Sequence, residues 1–228
     1  MRAPLIHRHG LLLLLLAAQT AHAETLTRGE ALEVAESFRA HRWEAAAKNI
    51  RHGVGRDGVE IHTPDRAGGR AEPESEGWRA GEGNVGVAYK WGGFDTLASF
   101  DAGVRAGKAA GDVYTLEKRR LGGKAVSGAA VGIDCSGFIS RCWKLPRKES
   151  TSSLASVCRK LASPAELAPG DIMNQSGGHV LLFAKWLDDA KTRSLFYEAA
   201  PFSKVRTTER AIAQLAGYTP LRHRSIRD

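Results

Sequence analysis

The stretch Gly132-Ile133-Asp134-Cys135-Ser136-Gly137-Phe138-Ile139 sets a cysteine among small and polar residues and runs straight into an apolar segment ending at Cys142-Trp143. Asp134 has the type and place of a helix N-cap, since its carboxylate can accept from the orphan amides of a first turn. Cys135 then falls in that first turn, where unpaired N–H groups and the positive end of the helix dipole favour thiolate over thiol. This is the setting of a cysteine nucleophile. The alternative is a small residue packed in a core, which free cysteine also does well.

A nucleophile needs a base, and His179 is the histidine that follows two glycines, Gly177-Gly178, and opens the apolar run Val180-Leu181-Leu182-Phe183-Ala184-Lys185-Trp186. That run has the length of a strand buried on both faces. The segment 194–200, Ser-Leu-Phe-Tyr-Glu-Ala-Ala, returns as a second strand and carries Glu198, an acid in apolar company that is costly without a partner. A hairpin closing on Asp188-Asp189 makes residues whose numbers sum to about 377 face each other, which sets 179 beside 198. A carboxylate there fixes the ring's tautomer and stabilises imidazolium. Cys135, His179 and Glu198 are thereby assigned as nucleophile, base and orienting acid.

The elements that must hold these groups follow from local pattern. Thr27-Arg28-Gly29-Glu30 has the capping-box form, and the apolar spacing from Leu32 through Trp43 predicts a helix over 28–48 that braces the core downstream. A separate targeting module is the alternative for that helix. Val59 to Thr63 reads as a short strand, and 65–83 as a loop or linker. Gly86 to Phe94 places Tyr89 and Trp91 before a Gly92-Gly93 turn, where paired glycines let the backbone approach a ligand. Asp95 or Thr96 caps a second helix carrying Leu97, Phe100 and Val104. Residues 153–161 read as one short helix bringing Cys158 within reach of Cys142, and the tail from Ile212 to Ile226 is expected to close the sheet edge.

Totals bound the rest. The 228 residues make one domain, or one domain with an extension, and a hydrophobic content of 43% is ample for a core. The basic start with Arg2 and Arg8, the apolar run Leu11 to Ala18 and the small-x-small site Ala21-His22-Ala23 read as a cleavable secretory signal over 1–23. A membrane anchor is the alternative. With no second apolar stretch of spanning length, the expectation is a secreted or periplasmic monomer with no integral membrane segment. Removing 1–23 takes two arginines and no acid, so the net charge of +8 falls by two to +6. The basic residues are scattered and no nucleic-acid-binding motif accompanies them, so nucleic acid is not an expected partner. No CxxC pair or Cys/His cluster with zinc spacing occurs, so neither metal nor cofactor is expected. Three cysteines in an oxidising compartment suggest one bridge and one free thiol. Cys142 with Cys158 is the natural pair, leaving Cys135 free.

The motifs Tyr89-Lys90-Trp91-Gly92-Gly93, Asp134-Cys135-Ser136-Gly137-Phe138, Pro169-Gly170-Asp171-Ile172 and Gly178-His179-Val180 come in an order that resembles the NlpC-type family of papain-like cell-wall cysteine peptidases. The likeness spans 85–200. It implies an α+β, papain-like fold in which the nucleophile-bearing helix packs on a small antiparallel sheet, here with an N-terminal helical extension over 24–84 and a hydrolase domain over 85–228. It implies Tyr89 beside the nucleophile, and Asp134 and Ser136 holding the substrate's amino end. It also implies amide cleavage in peptidoglycan stem peptides without cofactor. Trp91 joins the expected substrate-binding residues. Two features depart from the pattern. The third catalytic position holds Glu198, nearer the related CHAP amidases, and a long insert at 94–131 separates Gly93 from Cys135, able to reshape or cover the cleft. An acyl transferase on the same fold and a non-catalytic secreted binding domain are the competing readings.

Overall fold

A computed structural model describes residues 26–66 and 77–228; the expected signal segment and most of the expected 65–83 linker lie outside the described residues. The described residues are mixed α+β, with four α-helices among them set against antiparallel strands. The main sheet has six strands: β7 (Cys158–Lys160), β8 (Ile172–Asn174), β9 (Val180–Trp186), β10 (Arg193–Ala199), β11 (Val205–Ala211) and β12 (Thr219–His223). They lie in the order β11-β10-β9-β8-β12-β7, all antiparallel. The C-terminal strand β12 therefore sits inside the sheet and not at its edge, which β7 forms.

The sheet separates two apolar layers, because successive side chains of a strand point to opposite faces. Val180, Leu182 and Ala199 join the main core beneath the helices, whereas Leu181, Phe183 and Phe196 join a smaller core with Leu161, Leu167, Met173 and Leu215. The helix α4 (Cys135–Cys142) packs over β9 and β10, buried along nearly its whole length. Helix α1 (Arg28–Ala40) lies against α4, with Phe38 and Phe138 meeting edge-on at 6.0 Å. The capping box at its start is formed, Thr27 and Glu30 exchanging bonds. Arg28 ties it to the sheet through Asp171, 3.2 Å away.

The first helix ends at Ala40, short of the expected 48. Trp43 turns into β1 (Arg42–Glu44), paired with β4 (Gly83–Val85), where its indole donates to the Gly86 carbonyl and meets Trp78 and Phe100 edge-on. Burying the aromatic between those rings outweighs continuing a helix whose face would carry it elsewhere. Between these strands, β2 (His52–Val54) pairs with β3 (Glu60–His62). Residues 153–161 also depart from expectation: a 3-10 turn, Leu154–Val157, gives way to β7, because the backbone of 158–160 pairs with β12.

The 94–131 segment folds as α2 (Leu97–Arg105), β5 (Ala109–Ala110), α3 (Leu116–Leu121), a 3-10 turn and β6 (Ala130–Val131), with β5 and β6 parallel. It is pinned from within by a buried ion pair between Lys118 and Asp112, and from below by Arg141 of α4, whose guanidinium lies 3.5 Å over the Phe94 ring.

No described helix is long and apolar enough to cross a membrane.

Candidate active site

Asp134 caps α4, so Cys135 is the first helical residue. The Asp134 carboxylate takes the Gly137 N–H at 2.6 Å and the Ser136 hydroxyl at 3.0 Å on one oxygen, and the Lys148 ammonium at 2.7 Å on the other. This cap fixes the first turn and leaves the Cys135 N–H among the orphan donors that every helix start presents. The turn also needs glycine: a Cβ on Gly137 would collide with the Gly93 carbonyl oxygen. The Gly92-Gly93 turn thus packs its backbone directly on the nucleophile's helix. Gly92 itself sits at φ +70°, with Val126 where a Cβ would be.

His179 precedes β9 at the open end of the sheet. Its Nε2 lies 2.9 Å from a Glu198 oxygen. The hairpin is two to three residues out of the expected register: Tyr197 faces Leu182 and Phe196 faces Phe183, with a shift between Leu195 and Phe196. Continuing that pairing sets Glu198 opposite Leu181, so His179 is its diagonal neighbour on the same face. Diagonal neighbours are still within reach of long side chains. The acid and the ring therefore meet by a route other than direct opposition. Glu198 is buried, and its second oxygen accepts from Arg206 at 3.0 Å, with Arg210 3.7 Å away. Arg206 is the residue paired with Glu198 across β10 and β11.

Burial alone would disfavour the charged form of the ring. The Cys135 side chain and the Glu198 carboxylate more than offset it, and the His179 pKa is raised to about 10. Burial likewise pushes Glu198 up, but His179 and Arg206 outweigh it and hold its pKa down at about 2. Both shifts run in the direction that favours a protonated ring beside an ionised acid. His179 Nδ1 has no hydrogen bond of good geometry, yet the Cys135 side chain is close enough to raise the ring's pKa. Such pairs commonly tighten only when substrate closes the site.

Cys135 and His179 share one cleft of about 490 Å³. Tyr89, Trp91, Asp134 and Ser136 line it, so every catalytic or substrate-binding residue expected from sequence is in the cleft except Glu198, which stands behind the ring. Tyr89 is buried, and its hydroxyl is pushed well above its usual pKa, first by burial and next by the neighbouring Cys135. Sequence reasoning missed Lys148, Arg206, Tyr114 and Phe202. Trp91, Tyr114 and Phe202 form an aromatic row, with centroids 5.6 and 6.4 Å apart. The 94–131 segment supplies Tyr114, Arg119, Gly122, Gly123 and Val126 to the cleft lining, so it shapes the cleft directly. The signal for Arg206 was its place in the alternating Val205–Ala211 segment, but its partner depended on a register that local pattern does not fix.

The expected Cys142–Cys158 bridge is absent: all three cysteines are free thiols. Cys142 is packed in the core at the end of α4 and Cys158 at the start of β7, each filling space as a small apolar side chain. Burial pushes the Cys158 thiol up to about 12 and that of Cys142 well above its ordinary value. Among the described residues, no cluster of His, Cys, Asp or Glu has the arrangement to hold a metal.

Compared with known proteins, the chain matches no family model, no curated protein and no solved structure.

Proposed function

We propose that the protein is an exported cysteine hydrolase of amide bonds, acting on peptides of the bacterial cell wall through Cys135, His179 and Glu198. One observation carries the reading: a cysteine at a helix N-terminus shares a cleft with a histidine whose far nitrogen is held by a buried carboxylate. These are the parts that acyl transfer by a thiol uses, and their company in one cleft supports the reading.

In the proposed reaction the Cys135 sulfur attacks the amide carbonyl, and the oxyanion is held by the Cys135 N–H at the start of α4. His179, already protonated and backed by Glu198, gives its proton to the leaving amine as the C–N bond breaks. Water then adds to the thioester, losing a proton to His179, and the thiolate leaves with the acid product. Atoms balance as amide plus water giving acid plus amine. The cell-wall assignment and the papain-like fold rest on the motif order resembling NlpC-type peptidases, supported by α4 packed on an antiparallel sheet.

The test is incubation of the purified protein with peptidoglycan, with fragments identified by mass spectrometry. New amine and carboxyl ends are expected from the parent protein and none from Cys135→Ala. An intact wall, with Cys135 reduced and reactive, would remove the hydrolase reading. Transfer of the acyl group to an amine or lipid is the second reading, and the aromatic row in the cleft favours it, since an apolar wall suits an acceptor other than water. A dominant acceptor adduct would select it.

A further inference from the structure

The charges lining the cleft are unevenly spoken for. Asp134 already has three donors, and Lys148 matches its charge at 2.7 Å. An acid so engaged is poorly placed to receive a substrate ammonium, although that is the role the family resemblance implies for it. Lys148 is likewise committed. Glu198 stands behind the ring and is held by His179 and Arg206. On α3, Lys118 is paired with Asp112 and Arg120 with Glu117 at 2.6 Å. Arg119 lies between them, is exposed, lines the cleft, and has no acid partner among the described residues.

Its position is specific. A Cβ built on Gly177 would lie 4.0 Å from Arg119 Nη2. The guanidinium therefore reaches from the insert across to the Gly177-Gly178 turn that delivers His179. In the hydrolase reading, His179 protonates the leaving amine, so Arg119 stands on the leaving side of the scissile amide. A guanidinium presents a planar fork of donors that suits a carboxylate.

We infer that Arg119 is a carboxylate anchor, and that the substrate is an anionic peptide carrying an acid group on the leaving-amine side of the bond attacked by Cys135. This rests on the hydrolase reading and names its substrate class. Specificity then lies in the insert, the part of the chain that departs most from the family pattern, and not in the Asp134-Ser136 pair.

The experiment compares alkylation of Cys135 by iodoacetate, an anion, with alkylation by iodoacetamide, its neutral counterpart, the modified peptide being identified by mass. In Arg119→Gln the ratio of the two rates is expected to fall about fivefold, the scale of one partly solvated charge at a cleft mouth. Arg119→Lys should keep most of the ratio. Arg120→Gln, which removes an adjacent charge paired away from the cleft, should leave it unmoved. A second arm uses paired peptides bearing a free acid or its carboxamide on the leaving side. The parent should favour the acid through KM, and Arg119→Gln should lose that preference. A ratio unmoved by Arg119→Gln, or equally lowered by Arg120→Gln, overturns the anchor and leaves the hydrolase reading intact. A thiol that reacts with neither reagent removes the nucleophile and the anchor with it. The expected ratio without cleavage of either peptide supports the anchor and removes hydrolysis.

Discussion

Replacing Glu198 by glutamine tests the electrostatic core of the site at nearly constant shape. The carboxylate sits 2.9 Å from His179 Nε2 and 3.0 Å from Arg206 Nε, and is 4% exposed. Two unit charges about 4 Å apart in an effective dielectric of about 20 attract by about 4 kcal/mol. Arg206 shares the acid's charge, so about half, or 2 kcal/mol, is assigned to the ring, equal to about 1.5 pKa units. The His179 pKa, raised to about 10 in the parent, is then expected to fall to about 8.5 in Glu198→Gln. The alkaline limb of kcat/KM, where the ring can no longer protonate the leaving amine, should move down by the same amount. Because glutamine offers one acceptor oxygen to two donors, one of its –NH2 hydrogens must also face a cation or the ring N–H. The neutral-pH rate should therefore drop about a hundredfold as well, the usual scale for a misplaced acid–base group. The assay is the pH profile on a cell-wall peptide, repeated as the pH profile of Cys135 alkylation by iodoacetamide, which needs no substrate. A transition that stays near pH 10 in both measurements, the fall in kcat/KM and the change in alkylation rate as the ring loses its proton, would refute the claim that Glu198 sets the charge of the ring.

The remaining expectations concern stability and reactivity. Because the His179 pKa is raised to about 10, its stabilising contribution is full below the ordinary value of 6.5 and is lost as pH climbs through about 10. Because the Glu198 pKa is lowered to about 2, its contribution is present above 4.5 and is lost as pH falls through about 2. Thermal melts should therefore decline between pH 6.5 and 10, and the double variant His179→Gln, Glu198→Gln should flatten that decline. Lys118→Ala leaves Asp112 buried and uncompensated, and urea unfolding should show a loss of about 3–5 kcal/mol. Adding Asp112→Asn should recover a large part of it, and failure to do so would mean that the pair does not hold the insert. Gly137→Ala forces a methyl against the Gly93 carbonyl oxygen, and is expected to cost about 1–3 kcal/mol and to lower Cys135 reactivity as the first turn shifts. In the folded protein a thiol reagent should label Cys135 alone, since Cys142 and Cys158 are buried with raised pKa values; labelling of all three before unfolding would contradict that packing.

What was legible in the sequence was what local chemistry decides. Asp134 caps the helix of Cys135 because a short acid before an apolar run has few better uses. Thr96 caps α2 and the capping box opens α1 for the same reason. The apolar run after His179 became a buried strand. What was not legible depends on pairings between distant segments. The helix through Trp43 stopped early because Trp78 and Phe100 offered its ring a better place, and those residues are 35 and 57 positions away in sequence. The hairpin register slipped because the turn already sets Leu195 opposite Lys185, and neither that turn nor the shift before Phe196 leaves a local trace. Cys142 and Cys158 stay apart because each fills a space in the core, and a count of cysteines carries no information about space.

The same division explains where the site's specificity should be sought. The groups proposed to do chemistry lie on elements that local pattern specifies: a capped helix and a buried hairpin. The groups that set the cleft's charge, Lys148 against Asp134 and Arg119 beside Gly177, come from loops and from the insert, and only the folded chain brings them in. If a fixed chemical centre is surrounded by walls from a separate segment, substitutions in residues 94–131 should change which peptide is chosen while the pH limits of the reaction stay put. Substitutions behind the ring should do the reverse. Arg119→Gln and Glu198→Gln therefore form a matched pair: the first is expected to move KM between acid and carboxamide peptides, the second to move the alkaline limb. A variant at 119 that shifted the limb, or one at 198 that altered only peptide preference, would show that centre and wall are not separable in this cleft.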